Sequence, residues 1–194
     1  RSAAVLFIDA ISAFYTVFRQ LCLTLDHSDE AIAFLMAKMN FPPEVMHELS
    51  ARLSGQNIFA ATEVPSHLHR LVAEHHQDPW FSVDHCPSLA CTGTGTKPGD
   101  PFGDIVFNYL MLRVLLECRE KIFHADLSVQ LPCDGSRSLI NTRPCATVKG
   151  SEITYVDDGA FAIDAATPDA LPNKVAATTA IVSDVFLSHG LRLN

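Results

Sequence analysis

The chain has 194 residues, of which 48% are hydrophobic and 19% are charged, and this composition excludes an intrinsically disordered protein. Its formal net charge of −8 argues against non-specific binding of duplex nucleic acid by these residues alone, because phosphate neutralisation needs Lys and Arg. No apolar run approaches the roughly 20 residues that cross a bilayer, so we expect one domain over residues 1–194 and no membrane partner.

The start of the chain and its cysteines bear on where the protein works. The opening RSAAVLFIDA lacks the basic region, long apolar stretch and cleavage site of a signal peptide, which indicates an intracellular protein, nuclear or cytoplasmic. Because the chain begins inside an apolar run and ends abruptly at GLRLN, we expect a fragment of a longer protein. Six scattered cysteines form no CxxC pair, and His75-His76 resemble an exposed helix end, so reduced, mostly buried thiols are favoured over a zinc site.

Apolar periodicity and boundary residues predict the elements of the first half of the chain. These elements are a strand over Ala3–Ile8, a helix to about Leu23, a helix over Asp29–Met39 with Asp26 or Ser28 as N-cap, a helix from Pro42 to Ser54 stopped by Gly55, a helix from Pro65 to His76, and a strand over Trp80–Val83.

The second half contains the longest predicted helix, which follows a loop rich in glycine and proline. The predicted elements are the loop over Cys91–Pro101, the helix over Phe102–Phe123, a weak strand at Ser128–Leu131, a strand hairpin around Asp157-Asp158, and a helix after Pro168-Asp169 that ends at Gly190. Few strands among many helices predict an α+β fold, with an antiparallel sheet and helices mainly on one face.

The stretch ITYVDDGAFAI, Ile153 to Ile163, puts two aspartates side by side in a β-prone run. Its alternating apolar residues predict a hairpin, and Asp158-Gly159 is a good tight-turn dipeptide. From this stretch alone, Asp157 and Asp158 are interpreted as polar turn residues of a surface hairpin.

A third carboxylate, Asp9, favours a metal site instead. It ends an apolar strand, where a carboxylate is costly unless it is paired or bound to a metal. If Asp9 faces the hairpin tip, three carboxylates converge, and they stay ionised together only beside a cation such as Mg²⁺. Two such ions, about 3.5–4 Å apart, stabilise the attacking and leaving oxygens of nucleotidyl transfer.

Four short segments occur in the order found in the palm of reverse transcriptases. Phe7-Ile8-Asp9 with Ala13-Phe14 resembles the first palm motif, and TGTKPGDPFGDIVFN, which ends at Asn108, resembles the second. Tyr155-Val156-Asp157-Asp158 is similar to the third, Tyr-x-Asp-Asp, and the last helix with GLRLN resembles the fourth. The style is closest to enzymes of non-long-terminal-repeat retrotransposons, and the resemblance covers nearly the whole chain.

This resemblance implies an RNA-directed DNA polymerase with a palm of the RRM or ferredoxin-like type, its fingers and thumb largely missing from these residues. A primer 3′-OH would attack the α-phosphate of a dNTP on an RNA template, with two Mg²⁺ ions, or Mn²⁺, as cofactors. Asp9, Asp157 and Asp158 would be the catalytic, metal-binding residues. The residues implied to bind nucleotide or template are Ala13, Phe14, Gly99, Asp100, Pro101, Phe107, Asn108 and Tyr155.

Within that set, Phe14 would exclude a ribose 2′-OH and so favour dNTPs; judged without the resemblance, it is a core aromatic of the first helix. The Gly99-Asp100-Pro101 turn would shape the surface along which template and incoming base lie. Two positions depart from the family pattern: Pro98 replaces a glutamine that contacts the nucleotide, and Tyr15 replaces a second aspartate.

Two alternatives stay open at this point. The chain resembles an RNA-templated RNA polymerase or nucleotide cyclase less well, because a bulky Phe14 disfavours ribonucleotides. An inactive retroelement remnant, acting as a binding module, is the alternative that is not an enzyme.

Overall fold

The computed structural model describes residues 1–25, 30, 33–34, 37–38, 40–133, 146–150 and 152–194. Its helices are α1 (Ala13–Thr16), α2 (Arg19–Cys22), α3 (Pro43–Leu53), α4 (Ser66–His76), α5 (Pro101–His124) and α6 (Leu171–Ser188), with a 3-10 turn at Pro168–Ala170. Its strands are β1 (Ser2–Asp9), β2 (Trp80–Ser82), β3 (Leu89–Cys91), β4 (Val129–Cys133), β5 (Ala146–Gly150), β6 (Glu152–Tyr155) and β7 (Asp158–Ala165).

The described chain is a mixed α/β structure with small antiparallel sheets, which agrees with the coarse α+β prediction. One sheet has three strands in the order β1-β7-β6, and two further sheets pair β2 with β3 and β4 with β5. None of the described helices is long and apolar enough to cross a lipid bilayer.

Most predicted boundaries lie within one or two residues of the observed ones. α5 and α3 match the predicted helices closely, because Pro101 and Pro43 occupy first-turn positions where the missing N–H costs nothing. The helix predicted over Asp29–Met39, with its N-cap candidates Asp26 and Ser28, lies largely outside the described residues.

The single helix predicted to reach Leu23 is wrong. The chain instead forms α1 and α2, separated at Val17-Phe18, whose side chains are fully buried. The carbonyl of Val17 accepts a hydrogen bond from the N–H of Gly95 at 2.8 Å, so this backbone group pairs with a distant loop and not with the next helical turn.

The chain forms two compact units that interleave along the sequence. Unit 1 comprises Arg1–Asp9, Leu115–Val185 and Asn194, and unit 2 comprises Ala10–Val114 and Phe186–Leu193. The three-stranded sheet belongs to unit 1, together with the C-terminal part of α5 and most of α6.

The core of unit 1 includes the inner face of β7. Alternate residues of this strand are buried, which leaves the intervening residues on the opposite, outer face of the sheet. The apolar side chains buried in this unit include Ile8, Phe161, Ile163, Cys118, Ile122, Val182 and Val185.

The core of unit 2 is rich in aromatic side chains. Those that are fully buried include Phe18, Phe59, Phe107 and Phe186, and Arg19 is fully buried with them. The prediction of mostly buried cysteines holds for Cys22 alone in this unit, since Cys86 and Cys91 are exposed. His76, expected at an exposed helix end, is also buried.

Candidate functional site

The register of the three-stranded sheet brings two of the predicted carboxylates together. In the antiparallel pairing of β1 with β7, Asp9 lies directly opposite Asp158. On the other side of β7, Tyr155 of β6 lies opposite Asp158, so one row across the sheet reads Asp9, Asp158, Tyr155. Directly opposed residues share a face and have Cβ atoms roughly 4.5–5.5 Å apart, and all three residues in this row are exposed.

The third carboxylate, Asp157, lies in the turn that joins β6 to β7. Because Tyr155 pairs with Asp158, the loop consists of Val156 and Asp157. The predicted turn dipeptide Asp158-Gly159 is therefore wrong, since both of its residues belong to β7. Gly159 is required for a different reason: a Cβ atom at this position would lie 2.8 Å from Cγ1 of Ile8 on the neighbouring strand.

The backbone of this turn is strained at Val156, whose φ is 57°. A β-branched residue rarely adopts positive φ, and such strain costs about 1–3 kcal/mol. Strained residues of this kind cluster at functional sites, because the surrounding structure must hold them in place. Sequence reasoning treated Val156 as the variable position of the motif and did not single it out.

The carboxylates of this site lack an ion-pair partner in the part of the chain that the structure describes. None of Asp9, Asp157 and Asp158 forms an ion pair with a Lys, Arg or His side chain among the described residues. Like charges directly opposite each other destabilise a sheet, so Asp9 and Asp158 oppose the pairing that holds them. Oxygen ligands of this type, open to solvent, fit a hard divalent cation such as Mg²⁺.

The geometry supports a carboxylate pair more directly than a complete triad. Across the part of the chain that the structure describes, no three His, Cys, Asp or Glu side chains are grouped so that they could hold a metal ion. Asp157 is next to the pair in sequence and is half-buried in its turn.

Apolar side chains cover the outer face of the sheet beside the carboxylates. Phe7, Ile153 and Tyr155 are 77%, 81% and 80% exposed, although each lies in a strand. They line an open depression of about 530 Å³ together with Asp9, Asp158 and Asn194. The outer face of this sheet is therefore apolar and open to solvent beside the acidic pair.

The predicted nucleotide-binding residues, apart from Tyr155, belong to unit 2. Phe14 stacks on Phe107 with ring centroids 4.2 Å apart and an angle of 28° between the ring planes. Phe107 is buried and Phe14 is half-buried. Two of the residues implied to bind nucleotide or template are therefore in contact with each other. Ala13, which precedes Phe14, is buried. Asn108, which follows Phe107 on α5, is exposed.

A glycine loop fixes the backbone that carries Phe14. The carbonyl of Phe14 accepts a 2.6 Å hydrogen bond from the N–H of Thr96. Gly95 has φ of 84°, and a Cβ atom there would lie 2.7 Å from the carbonyl oxygen of Tyr15. The loop can approach α1 this closely only because it has glycine at that point.

The Gly99-Asp100-Pro101 turn begins the long helix α5. Gly99 has φ of 79°, and Asp100 is the residue before Pro101, the first of the helix. The Oδ1 atom of Asp100 accepts a 2.9 Å hydrogen bond from the N–H of Phe102, which is the usual role of an N-cap. The signature Asp-Pro was therefore readable from the sequence as a helix start.

His75 is a partner of this turn that sequence reasoning missed. Its Nε2 atom lies 2.7 Å from Oδ2 of Asp100, and its ring is tilted against Phe102 at 5.1 Å. Burial, the largest single influence, would raise the pKa of the Asp100 carboxyl. The N–H groups of Phe102 and Gly103, together with His75, outweigh burial and hold this pKa below its usual value. No sequence signal links residues 25 positions apart in this way.

A comparison with models of known protein families finds no match, and no curated protein matches the sequence significantly.

Replacing Val156 with glycine is expected to stabilise the protein. Glycine adopts positive φ without strain, so relief of about 1–3 kcal/mol should exceed the entropic cost of roughly 0.5–1 kcal/mol for a glycine. Urea unfolding measures the difference. Val148→Gly, a similarly exposed valine within β5, is the matched control and should destabilise. Equal losses from both substitutions would show that Val156 is not strained.

Replacing Asp100 with asparagine should flatten the acid side of the stability profile. The pKa of Asp100 is lower in the folded state than its unfolded-state pKa of 3.8. The ionised carboxylate therefore contributes to the free energy of unfolding above pH 3.8, and this contribution is lost as pH falls through the folded-state pKa. Urea unfolding at pH 6 and at pH 3 should show a smaller loss for Asp100→Asn than for the unmodified chain. Asn retains the cap, and Asp100→Ser, which also caps without charge, should behave alike. If both variants lose as much stability between pH 6 and pH 3 as the unmodified chain, Asp100 is not the source of this pH dependence.

Proposed function

We propose that this chain is the catalytic palm of an RNA-directed DNA polymerase, which transfers nucleotides from dNTPs to a primer 3′-OH. The observation that carries the proposal is the β1–β7 register, in which Asp9 lies opposite Asp158 next to the turn that contains Asp157. Two separate stretches of sequence, the end of β1 and the β6–β7 hairpin, contribute to the proposed assembly, and each resembles a motif of the polymerase family.

In this proposal, Asp9 and Asp158 supply carboxylate oxygens to a divalent cation, and Asp157 adds a third group from the turn. Bound Mg²⁺ ions would stabilise the attacking and leaving oxygens of the transfer. The strained Val156 fits this role, because a tight two-residue loop keeps Asp157 and Asp158 at the end of the sheet. The absence of a cationic side chain at these carboxylates, among the described residues, leaves their charge available to the metal.

The exposed sheet face supports a nucleic-acid partner for the same site. Phe7 and Ile153 lie opposite Ala160, in the next row on the same face as the carboxylates, and Tyr155 lies in the same row as Asp158. Aromatic and apolar groups contact bases and sugars without regard to sequence, which suits an enzyme that copies any template. The cations that neutralise the phosphates would have to come from other segments, such as fingers and thumb, since this chain has a net charge of −8.

Phe14 supports the choice of deoxyribonucleotides. Its ring is fixed by stacking on the buried Phe107, and its carbonyl is held by Thr96. An aromatic residue whose ring is stacked on one side and whose backbone is fixed cannot move away easily, which is what steric exclusion of a 2′-OH requires.

A palm-fold binding module without activity is the second candidate, and Pro98 favours it. Proline has neither the amide side chain nor the N–H that the family uses at this position to contact the nucleotide. Metal binding by the carboxylates separates this candidate from the first.

The effect of Mg²⁺ on thermal unfolding tests the carboxylate pair. Without metal, Asp158→Asn should be more stable than the unmodified chain by about 0.2–1 kcal/mol, because it removes a like charge opposite Asp9. With metal in excess of its Kd, the unmodified chain should gain stability, by about 2.7 kcal/mol at a hundredfold excess, and the variant should gain much less.

The matched control is Asp164→Asn, which removes a carboxylate from the same strand at its far end, near Arg1. It should keep the full response to Mg²⁺. If all three proteins respond alike, or none responds, the metal site is wrong. We expect these residues alone to be inactive without fingers and thumb, so primer extension on an RNA template is measured in a longer form of the protein that contains them, and it should be lost in Asp157→Asn.

Replacing Phe14 with alanine should increase incorporation of ribonucleotides relative to deoxyribonucleotides. An increase of about tenfold corresponds to about 1.4 kcal/mol of discrimination, a reasonable scale for one steric contact. The ratio is measured by primer extension with rNTPs and dNTPs in any form of the protein that is active. Tyr15→Ala, at the exposed neighbouring aromatic, should leave the ratio unchanged. An unchanged ratio in Phe14→Ala would show that Phe14 does not exclude the ribose 2′-OH.

A further inference from the structure

A cavity of about 520 Å³ in unit 2 plays no part in the proposed polymerase chemistry. It is formed by the end of α4, the strand β2 and the glycine loop, and Phe14 is not among its lining residues. Its volume is within the range of pockets that hold small organic molecules.

Aromatic side chains form much of the wall of this cavity. Trp80 and Phe81 of β2 contribute, as does Tyr15 of α1, and Trp80 is 62% exposed. Pro79 and Pro98 add further apolar surface. A flat aromatic ring is the ligand shape that such walls contact best, because aromatic pairs gain energy beyond the area they bury.

A buried cation, Arg19, holds residues that line the cavity and is not itself a lining residue. The guanidinium of Arg19 donates hydrogen bonds to the carbonyls of His76, Thr92 and Thr94 at 2.6 to 2.8 Å, and all three of these residues line the cavity. Burial lowers the pKa of Arg19 to about 10, so the group stays charged at neutral pH. Arg19 forms no ion pair with a carboxylate among the described residues, and the charge of Asp78 raises its pKa only in part against the effect of burial.

A second cation, Lys97, belongs to the lining itself, and its side chain has no ion-pair partner in the described part of the chain. No Asp or Glu is among the described residues that line the cavity. The nearby carboxylate of Asp100 is engaged by His75 and by the N–H of Phe102. Lys97 is therefore the only Lys, Arg, Asp or Glu side chain among the described residues that line the cavity, although the protein as a whole is acidic.

We propose that this cavity binds a small planar aromatic anion, with its ring against Trp80 and Phe81 and its acidic group toward Lys97. The cavity shares no lining residue with the depression beside the carboxylates, and the proposal does not depend on polymerase activity. The loop that lines it carries Gly95 and Thr96, whose N–H groups hold the backbone of Val17 and Phe14. A ligand in the cavity therefore stabilises the segment that carries Phe14.

Trp80 provides a direct test, because it is the single tryptophan of the chain and lines the cavity. Its fluorescence is titrated with three probes of equal ring size: 2-naphthoate, the neutral 2-naphthamide and the cationic 2-naphthylmethylammonium. We expect saturable quenching by 2-naphthoate, with an affinity at least about threefold higher than for the amide, the scale of one exposed ion pair. The cation should bind more weakly than the amide.

Lys97→Gln should reduce the preference for the acid over the amide, while binding of the amide is kept. Lys174→Gln, which removes a lysine of unit 1, is the matched control and should leave all three affinities unchanged. Phe81→Ala should lower the affinity for all three probes by a similar factor, and circular dichroism verifies that this variant is folded. Quenching that does not saturate, or an amide or cation that binds as tightly as the acid, overturns the proposal. So does a preference for the acid that survives in Lys97→Gln.

Discussion

The pairing of β1 with β7 is the constraint on which the candidate site depends. It aligns eight residues of each strand, and its last pair is Asp9 with Asp158. Along the same pairing, Ile8 lies opposite Gly159, where any side chain would collide with Ile8. The apolar inner face of the sheet thus fixes the register, and the register puts two like charges side by side on the outer face. A shift of one strand by one residue would bury the carboxylate of that strand and separate the pair, so the packing of the inner face preserves the acidic pair.

Two features of this arrangement are unfavourable for the stability of the folded chain. The carboxylates repel each other without a cationic side chain nearby, among the described residues, and Val156 is held at a positive φ that disfavours a β-branched residue. Neither feature benefits a hairpin whose role is only to connect strands. Both are understandable if the hairpin holds acidic groups for a cation, since a bound ion offsets the repulsion and the tight turn restricts the positions of its ligands.

Unit 2 is organised around a different interaction, the buried guanidinium of Arg19. It ties the end of α4 to the loop that follows β3 through four hydrogen bonds, three of them to backbone carbonyls. The same loop approaches α1 through Gly95 and so holds the backbone of Phe14. Loop, aromatic residue and cavity therefore share one support, and a change at Arg19 should affect all three.

The sequence by itself determined the long helices and the acidic motifs. α5, α4 and α3 follow from apolar periodicity and from proline at their starts, which are local properties of the chain. Asp9, Asp157 and Asp158 were identified as candidates because carboxylates at the ends of apolar strands are unusual. The resemblance to polymerase motifs is also a property of the sequence, and the assignment of function continues to depend on it.

Only the tertiary structure decided how these residues meet. The reason for Gly159 and the pairing of Asp9 with Asp158 depend on contacts between segments about 150 residues apart. The location of the turn at Val156-Asp157 depends on the register of β6 against β7. The contact of His75 with Asp100 and the burial of Arg19 are equally non-local. Local patterns fix what a segment can become, whereas side-chain neighbours depend on strand register and loop approach. Those are set by packing between distant parts of the chain, and packing leaves no periodic signal in the sequence.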